Sequence, residues 1–314
     1  MVVKKRNDIL VAGDLNVDLL YNDLSNLPQT GEEVLAGDFN MALGSSAGIM
    51  AANIAALGVN VAFVGVVGND LFGQYIIDQL KQKNVSTQYV KVRENFSTGS
   101  TVVMNQGQER ANLTHAGAMA SLCIEDFPWE EMKRISFFHL ANPFVLPQMR
   151  NNLLGLFDRA KDCGMITSLD PQWDVKDKWD MDLKGLLPQV DYFFPNEKEF
   201  ALLTKSQTVG EGIQSLEAVF KHVVITRGVK GSVLYTPGHR KEQGAVLNNQ
   251  VVDCIGAGDA FCAGFLAAKI DGLSDTDALK SGAITGALST TIAGGAGAFN
   301  SKEEFLQKAE ELLG

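Results

Sequence analysis

Short apolar runs recur along the chain, each closed by glycine or a polar pair, with longer stretches of helical period between many of them. Ile9 to Gly13 is the first, a strand-length run ended by glycine. Gly44 to Gly58 is rich in Gly, Ala and Ser and becomes a small-residue helix carrying Ala51, Ala52, Ile54, Ala55 and Leu57. Val61 to Val67 predicts a second buried strand, and Asn69-Asp70 a helix cap ahead of Phe72 to Leu80. Further on, Ile135–Leu140, Met165–Leu169, Tyr192–Phe194, Val223–Thr226 and Ser232–Thr236 predict strands. Helical patterns cover Met149–Cys163, Lys198–Leu203, Ile213–Val219, Asp259–Asp271, Asp275–Ala293 and Glu303–Leu313. Strands alternating with helices predict a largely parallel sheet covered on both faces.

Two polar stretches, roughly residues 14–43 and 92–113, interrupt that alternation. Within the first, Glu33–Leu35 and Phe39–Leu43 suit short strands; within the second, Thr98–Met104 and the segment after Gly107 suit a hairpin. Both read as excursions from the main sheet that combine into a small β-rich lid on one unit spanning 1–314.

Composition narrows the function. Of 314 residues, 46% are hydrophobic and 20% charged, enough for an ordinary core. The formal net charge of −10, without a long basic run, argues against a nucleic-acid partner. Lys4, Lys5 and Arg6 precede a run too short for a signal core, and no stretch suits a membrane span, so a cytoplasmic protein is expected. The scattered Cys123, Cys163, Cys254 and Cys262 read as reduced thiols. The four histidines have no metal-ligand spacing.

The sharpest local signal is Val251 to Phe261, where an apolar run enters a Gly256-Ala257-Gly258 turn and then an apolar helix opening on Asp259. Backbone N–H groups at such a turn can cradle an anion. A carboxylate beside it can take a proton from a substrate hydroxyl. Chemistry alone leaves a glycine turn with Asp259 as a plain helix cap equally open. The segment contains neither GxxxxGK[ST] nor GxGxxG, so it is not a P-loop or a dinucleotide fingerprint. Asn196 and Glu199 by themselves read as a helix cap and a first-turn acid after Pro195.

Asp253 to Phe261 resembles the late signature of the ribokinase-like, or PfkB-type, carbohydrate kinases, with Cys254 where a Thr is usual. The likeness extends to Gly44-Ser45-Ser46-Ala47-Gly48-Ile49, to Val64 through Gly73, to Asn196 and Glu199, to Val224 through Gly231, and to Gly13 through Asp18. It implies a three-layer α/β/α fold with a central, mostly parallel sheet and a small lid. It implies ATP-dependent phosphorylation of a sugar hydroxyl with Mg²⁺, with Asp259 as the base and Gly256, Ala257 and Gly258 as an anion hole. Asn16, Asp18, Gly44, Ser45 and Ser46 would face the sugar. Asn196, Glu199, Thr226, Gly228 and Gly231 would lie at the nucleotide, with Glu199 reaching Mg²⁺ through water. A monovalent cation such as K⁺ beside Asp253 and a homodimer through the lid strands are further expectations from relatives.

Departures bear on the substrate. Gly44-Ser45 replaces a common Gly-Gly pair, and Ile49 stands where many members have Asn, so the ribose-specific pattern is incomplete. Ser45, Ser46 or Asn53, one helical turn past Ile49, could compensate. Arg110 could approach a substrate carboxylate or hydroxyl, or form a surface ion pair. Asp170, in a run resembling sugar-kinase members, is given no catalytic role. A keto-deoxy sugar acid such as 2-keto-3-deoxygluconate and a nucleoside are alternative acceptors, and a non-catalytic sugar or nucleotide sensor is the alternative of a different class.

Overall fold

Ile9, Leu10, Val11 and Ala12 are all fully buried, so the strand they form needs apolar cover on both faces. The computed structural model describes residues 6–106 and 109–314; Lys4, Lys5 and Gly107 lie outside them. In chain order the first strands are β1 (Arg6–Ala12), β2 (Asn16–Asn22), β3 (Asp38–Leu43), β4 (Asn60–Gly68), β5 (Val85–Arg93), β6 (Gly99–Gln106) and β7 (Glu109–His115). They continue as β8 (Ile135–Ala141), β9 (Ile166–Asp170), β10 (Tyr192–Phe193), β11 (Val223–Thr226), β12 (Ser232–Thr236) and β13 (His239–Gln243). Nine of them form the main sheet in the order β13-β12-β11-β10-β9-β8-β1-β4-β5. Its ladders from β11 through β5 are parallel, and β12 and β13 close one edge antiparallel.

Helices cover each face. One apolar cluster joins the sheet to the helices Ser46–Ala56, Ala257–Ile270, Asp275–Ser289 and Lys302–Leu313. The other packs Leu153–Asp162, Glu197–Thr204 and Val209–Leu216 on the opposite face. This is the three-layer arrangement expected from the alternation.

The remaining strands make the small lid sheet, ordered β3-β2-β6-β7. Its register puts Asp18, Thr101 and Thr114 in one row and Leu20, Val103 and Asn112 in the next, on the face toward the site. Leu19, Met41, Val102 and Leu113 form a row on the other face, where Met41 and Leu113 remain exposed.

Several expectations are corrected. Glu33–Leu35 is not a strand; Leu35 is 84% exposed and has no sheet to join. The expected helix Met149–Cys163 breaks at Asn151-Asn152 into Pro147–Arg150 and Leu153–Asp162. The helix expected at Ile213–Val219 runs Val209–Leu216, starting at a Thr208–Glu211 capping box. Residues 92 and 93 belong to β5 of the main sheet. Strands β5 and β13 were not anticipated, because both are edge strands with largely polar sequences.

Candidate active site

The main sheet changes winding direction between β1 and β8, and the loops leaving the carboxyl ends of its strands meet there. Asp14 follows β1. It accepts hydrogen bonds from Asn142 Nδ2 at 2.9 Å, just past β8, and from Ala47 N at 3.1 Å in the first turn of the Ser46–Ala56 helix. Asn142 adopts a left-handed conformation (φ 54°) that Asn tolerates, and this turns its amide toward Asp14. Asp170 closes β9, and Asn196 follows β10 to open the Glu197–Thr204 helix.

Asp259 enters from the other side of the crevice. Gly256 takes a left-handed conformation (φ 72°) at the start of the Ala257–Ile270 helix, which seats Asp259 in its first turn. A side chain on Gly256 would meet Ile49 Cγ2 at 2.8 Å, so the helix start packs directly on Ile49. Gly258 has open space where a Cβ would stand, leaving its backbone accessible.

Three adjoining cavities run through this crevice. The first, of about 310 Å³, is lined by Asp14, Asn16, Asp18, Ser45, Ser46, Ile49, Thr101, Arg110, Asn142, Trp173, Gly256 and Asp259 among others. The second, of about 180 Å³, is lined by Asp170, Gln172, Asn196, Glu199, Thr226, Gly256, Ala257, Gly258, Asp259 and Cys262 among others. The third, of about 330 Å³, is mainly apolar and includes Thr226, Gly228, Val229, Gly231, Leu247, Val251, Ala257 and Gly258. Gln172, Gly256 and Asp259 border the first two; Thr226, Cys254, Ala257 and Gly258 border the last two.

Most of the residues singled out from sequence therefore converge. Gly44 and Asp253 do not line these cavities and act as braces. Gly44 donates its N–H to Asn16 O at 3.0 Å and lies so close over Asp18 that a Cβ would collide with the carboxylate. Asp253 accepts from Ile255 N at 2.9 Å and Gly294 N at 3.2 Å, pinning the turn before the helix. Asn53 does not compensate for Ile49: its amide donates to Ile49 O and Gly295 O instead.

The electrostatics are dominated by buried acids. Burial, with Asp170, Asp14 and Glu199 nearby, pushes the Asp259 carboxyl well above the usual carboxylate range. Asp170 is raised to about 8 by burial and by Glu199. Asp18 is raised to about 7 by burial and by Asp14, while a hydrogen bond from Asn16 Nδ2 at 2.8 Å works against the shift. Glu199 is raised by burial, opposed by its reciprocal cap with Asn196: Asn196 N donates to Glu199 Oε2 at 2.9 Å and Glu199 N to Asn196 Oδ1 at 2.8 Å. His139, fully buried on β8, is depressed to about 3 by burial and shares Nδ1 with Ser168 Oγ, so it is a neutral core residue.

Sequence reasoning passed over Asp14, Asn142 and Gln172 and set Asp170 aside. The available signal was positional: each lies just beyond or at the end of a buried strand, where a parallel sheet places its ligands.

The profile described as pfkB family carbohydrate kinase matches residues 6–302. The chain is similar to the ribokinase of Bacillus subtilis (strain 168), with 25% identity over 315 residues covering 98% of this chain and 99% of the relative. It is similar to the ATP-dependent 6-phosphofructokinase of Thermoanaerobacterium thermosaccharolyticum, with 24% identity over 285 residues covering 88% and 86%. It also resembles the 2-dehydro-3-deoxygluconokinase of B. subtilis, with 25% identity over 269 residues covering 82% and 83%. Among solved structures, Arabidopsis thaliana ribokinase complexed with ribose and ATP superposes with a TM-score of 0.83 at 25% identity, covering 96% and 98% of the two chains. The adenosine kinase of Sinorhizobium meliloti superposes with a TM-score of 0.85 at 22% identity, covering 97% and 98%.

Proposed function

Because the chain belongs to the pfkB family of carbohydrate kinases, we propose that it transfers the γ-phosphoryl group of ATP to a hydroxyl of a sugar, with Asp259 as the base. One observation carries the reading: Asp259 is the acid shared by the polar first cavity and the glycine-walled second cavity. An acceptor hydroxyl in the first and a phosphoryl group in the second would meet at its carboxylate.

In this reading Asn16 and Asp18 bind neighbouring hydroxyls of the acceptor, and the lid above them excludes water that would compete for the phosphoryl group. Asp259 takes the hydroxyl proton as the oxygen attacks the γ-phosphorus. The bond between the γ-phosphorus and its bridging oxygen breaks, and ADP leaves. The backbone of Gly256, Ala257 and Gly258 supports the phosphoryl oxygens in transit. A base held above the usual carboxylate range is better matched to neutral pH than an ordinary Asp.

The third cavity suits the nucleotide base. Val229, Leu247 and Val251 are exposed apolar side chains on its wall, and Ser232 Oγ is buried there without a hydrogen-bond partner. Glu199, with Asn196, would hold Mg²⁺ through water, in keeping with the preference of this ion for oxygen ligands and retained waters. The ion supplies positive charge against the phosphate oxygens when bound. The two oxygens of Asp253 already accept backbone N–H groups, so K⁺ there is an expectation carried by family likeness alone. The exposed Met41 and Leu113 on the outer lid face support a second copy of the chain as partner, and light scattering that gives a single-chain mass removes that reading.

A sugar acid is the second reading. Arg110 is the one basic side chain among the described residues lining the acceptor cavity, and an acceptor carboxylate would complement it.

The test is ADP release with Mg-ATP across fructose, ribose, other hexoses, 2-keto-3-deoxygluconate and nucleosides, with and without K⁺, beside Asp259→Asn. A preferred acceptor whose turnover falls by about 10²–10⁴ in the variant is the expected result. Turnover that survives removes Asp259 as base. Binding of sugar and nucleotide without any turnover in the wild type points to a sensor.

A further inference from the structure

Gln172 is a residue of this crevice to which the proposed chemistry gives no role, although it touches the candidate base directly. It follows Pro171 just beyond β9 and takes a left-handed backbone conformation (φ 56°), uncommon for a residue of its length. Its own N–H donates to Asp170 Oδ1 at 3.1 Å. Its side-chain Nε2 donates to Asp170 Oδ2 at 3.0 Å and to Asp259 Oδ1 at 2.8 Å. It borders both the acceptor cavity and the phosphoryl cavity.

We propose that Gln172 is the positioning residue of the candidate base, its amide spanning Asp170 and Asp259 so that the Asp259 carboxylate is aimed at the acceptor. The inference rests on the reading of Asp259 as base. The chemistry suits an amide and little else. One NH₂ group offers two donors, one to each carboxylate, and carries no charge of its own. A lysine here would pair with Asp259 and hold it permanently ionised. A glutamate would add another acid to a crowded group. With Oδ1 held by Gln172, the carboxylate is fixed in orientation where it borders the acceptor cavity.

A donated hydrogen bond favours the ionised form of Asp259, and the Ser46 side chain acts in the same sense as Gln172 in surroundings that oppose it. The titratable groups facing Asp259 are Asp170 at the end of β9, Asp14 after β1, Glu199 in the Glu197–Thr204 helix and the Cys262 thiol in its own helix. Asp18 and Arg110 stand further along the acceptor cavity. Cys262 Sγ donates weakly to Asp170 Oδ2 at 3.6 Å, and Gln172 alone among these neighbours bridges the two aspartates.

The experiment compares wild type with Gln172→Leu, which has no donor, and Gln172→Asn, which suits the left-handed backbone but is one methylene too short to span both carboxylates. The first readout needs no acceptor. In ¹⁵N-labelled apoprotein, the side-chain NH₂ signals of Gln172, assigned by their loss in the variants, should titrate with its carboxylate neighbours. One proton should lose that response in Asp259→Asn. The second readout is kcat/KM against pH with whichever of fructose, ribose or 2-keto-3-deoxygluconate is turned over. Losing a hydrogen bond to a charged group should move the acid limb up by about 1–2 pH units in Gln172→Leu, with KM for ATP changed less than about threefold. Gln172→Asn should shift the limb in the same direction and keep the wild-type melting temperature, which separates positioning from folding. An amide that does not titrate, or an acid limb that stays in place in both variants, overturns the proposal. If Asp259→Asn keeps its turnover, the base assignment fails on that result alone; if that variant is dead and Gln172→Leu has an unmoved limb, only the role of Gln172 fails.

Discussion

Ser45 occupies a conformation (φ 73°, ψ 137°) that belongs almost entirely to glycine. Sequence likeness had marked it as the serine of a pair that is commonly Gly-Gly, and the backbone keeps the geometry of a glycine. What holds the serine there is its hydroxyl, which caps the Ser46–Ala56 helix by accepting from Gly48 N at 2.9 Å. Gly48 is tied to the same arrangement, because a Cβ on it would come within 2.5 Å of Ser45 Oγ. Backbone strain of this kind costs about 1–3 kcal/mol. Replacing the residue with glycine returns about 0.5–1 kcal/mol of chain entropy to the unfolded state and loses a few tenths from the cap, roughly. Ser45→Gly should therefore stabilise the protein by about 1 kcal/mol, raising the urea midpoint at constant slope. Ser45 also lines the first cavity, the proposed acceptor site, so weaker acceptor binding by the same variant would assign its hydroxyl a contact with the acceptor and unchanged binding would leave it the cap alone. A lowered midpoint would mean that the cap outweighs the strain.

The helix Ala257–Ile270 uses two glycines for opposite purposes. At Gly264 a Cβ would collide with Thr285 Oγ1 and come within 2.7 Å of the Ser281 carbonyl oxygen, both on the Asp275–Ser289 helix. The Thr285 hydroxyl is itself bonded to Ser281 O at 2.8 Å, and the carbonyl cannot swing aside. Gly264→Ala should destabilise by about 1–2 kcal/mol, since overpacking of about 1–3 kcal/mol exceeds the roughly 1 kcal/mol gain in helix propensity. Gly258 faces open space, so Gly258→Ala should leave stability unchanged or raised by about 1 kcal/mol while turnover falls, because the methyl group would enter the second cavity, where the proposed reading places the phosphoryl group. Chemical denaturation beside ADP release separates the two; equal losses of stability would undo the distinction. Elements of this kind were the legible part of the sequence. Buried strands such as Ile9–Ala12 and the capped helix after Asp70 announce themselves by periodicity and local bonding. The edge strands β5 and β13 did not, because an edge needs only backbone partners on one side and tolerates polar residues. Asp259 and its glycines were legible as a local motif. Gln172 and Asn142 were not, since their importance comes from bonds to Asp259 and Asp14, 87 and 128 residues away in sequence.

At the scale of the molecule, the crevice gathers Asp14, Asp18, Asp170, Glu199 and Asp259, and burial raises the proton affinity of every one. An acid whose folded value lies above its unfolded one holds a proton that the unfolded chain has released, so stability falls as pH rises toward the folded value. For Asp18 and Asp170 that fall extends from the ordinary range near 3.8 to about 7 and about 8. His139 has the opposite sign: depressed from 6.5 to about 3, it stabilises the fold above 6.5 and withdraws that contribution as pH falls. Asp70, Asp174, Asp191 and Asp275, lowered by their hydrogen bonds, likewise act only on the acid side. The interval from pH 6.5 to 8.5 is therefore dominated by the buried carboxyls, with the end of the His139 effect opposing them at its lower edge and the raised Cys123 and Cys262 thiols adding to them at its upper edge. Across it the apoprotein should lose about 2 kcal/mol of stability, read as a fall of roughly 4 °C in melting temperature. Asp170→Asn should flatten the slope, because an amide in that place has no proton to release. A melting temperature that holds level or climbs over this interval would mean that these carboxylates ionise as ordinary ones do, and would take away the electrostatic reason for a base tuned toward neutral pH.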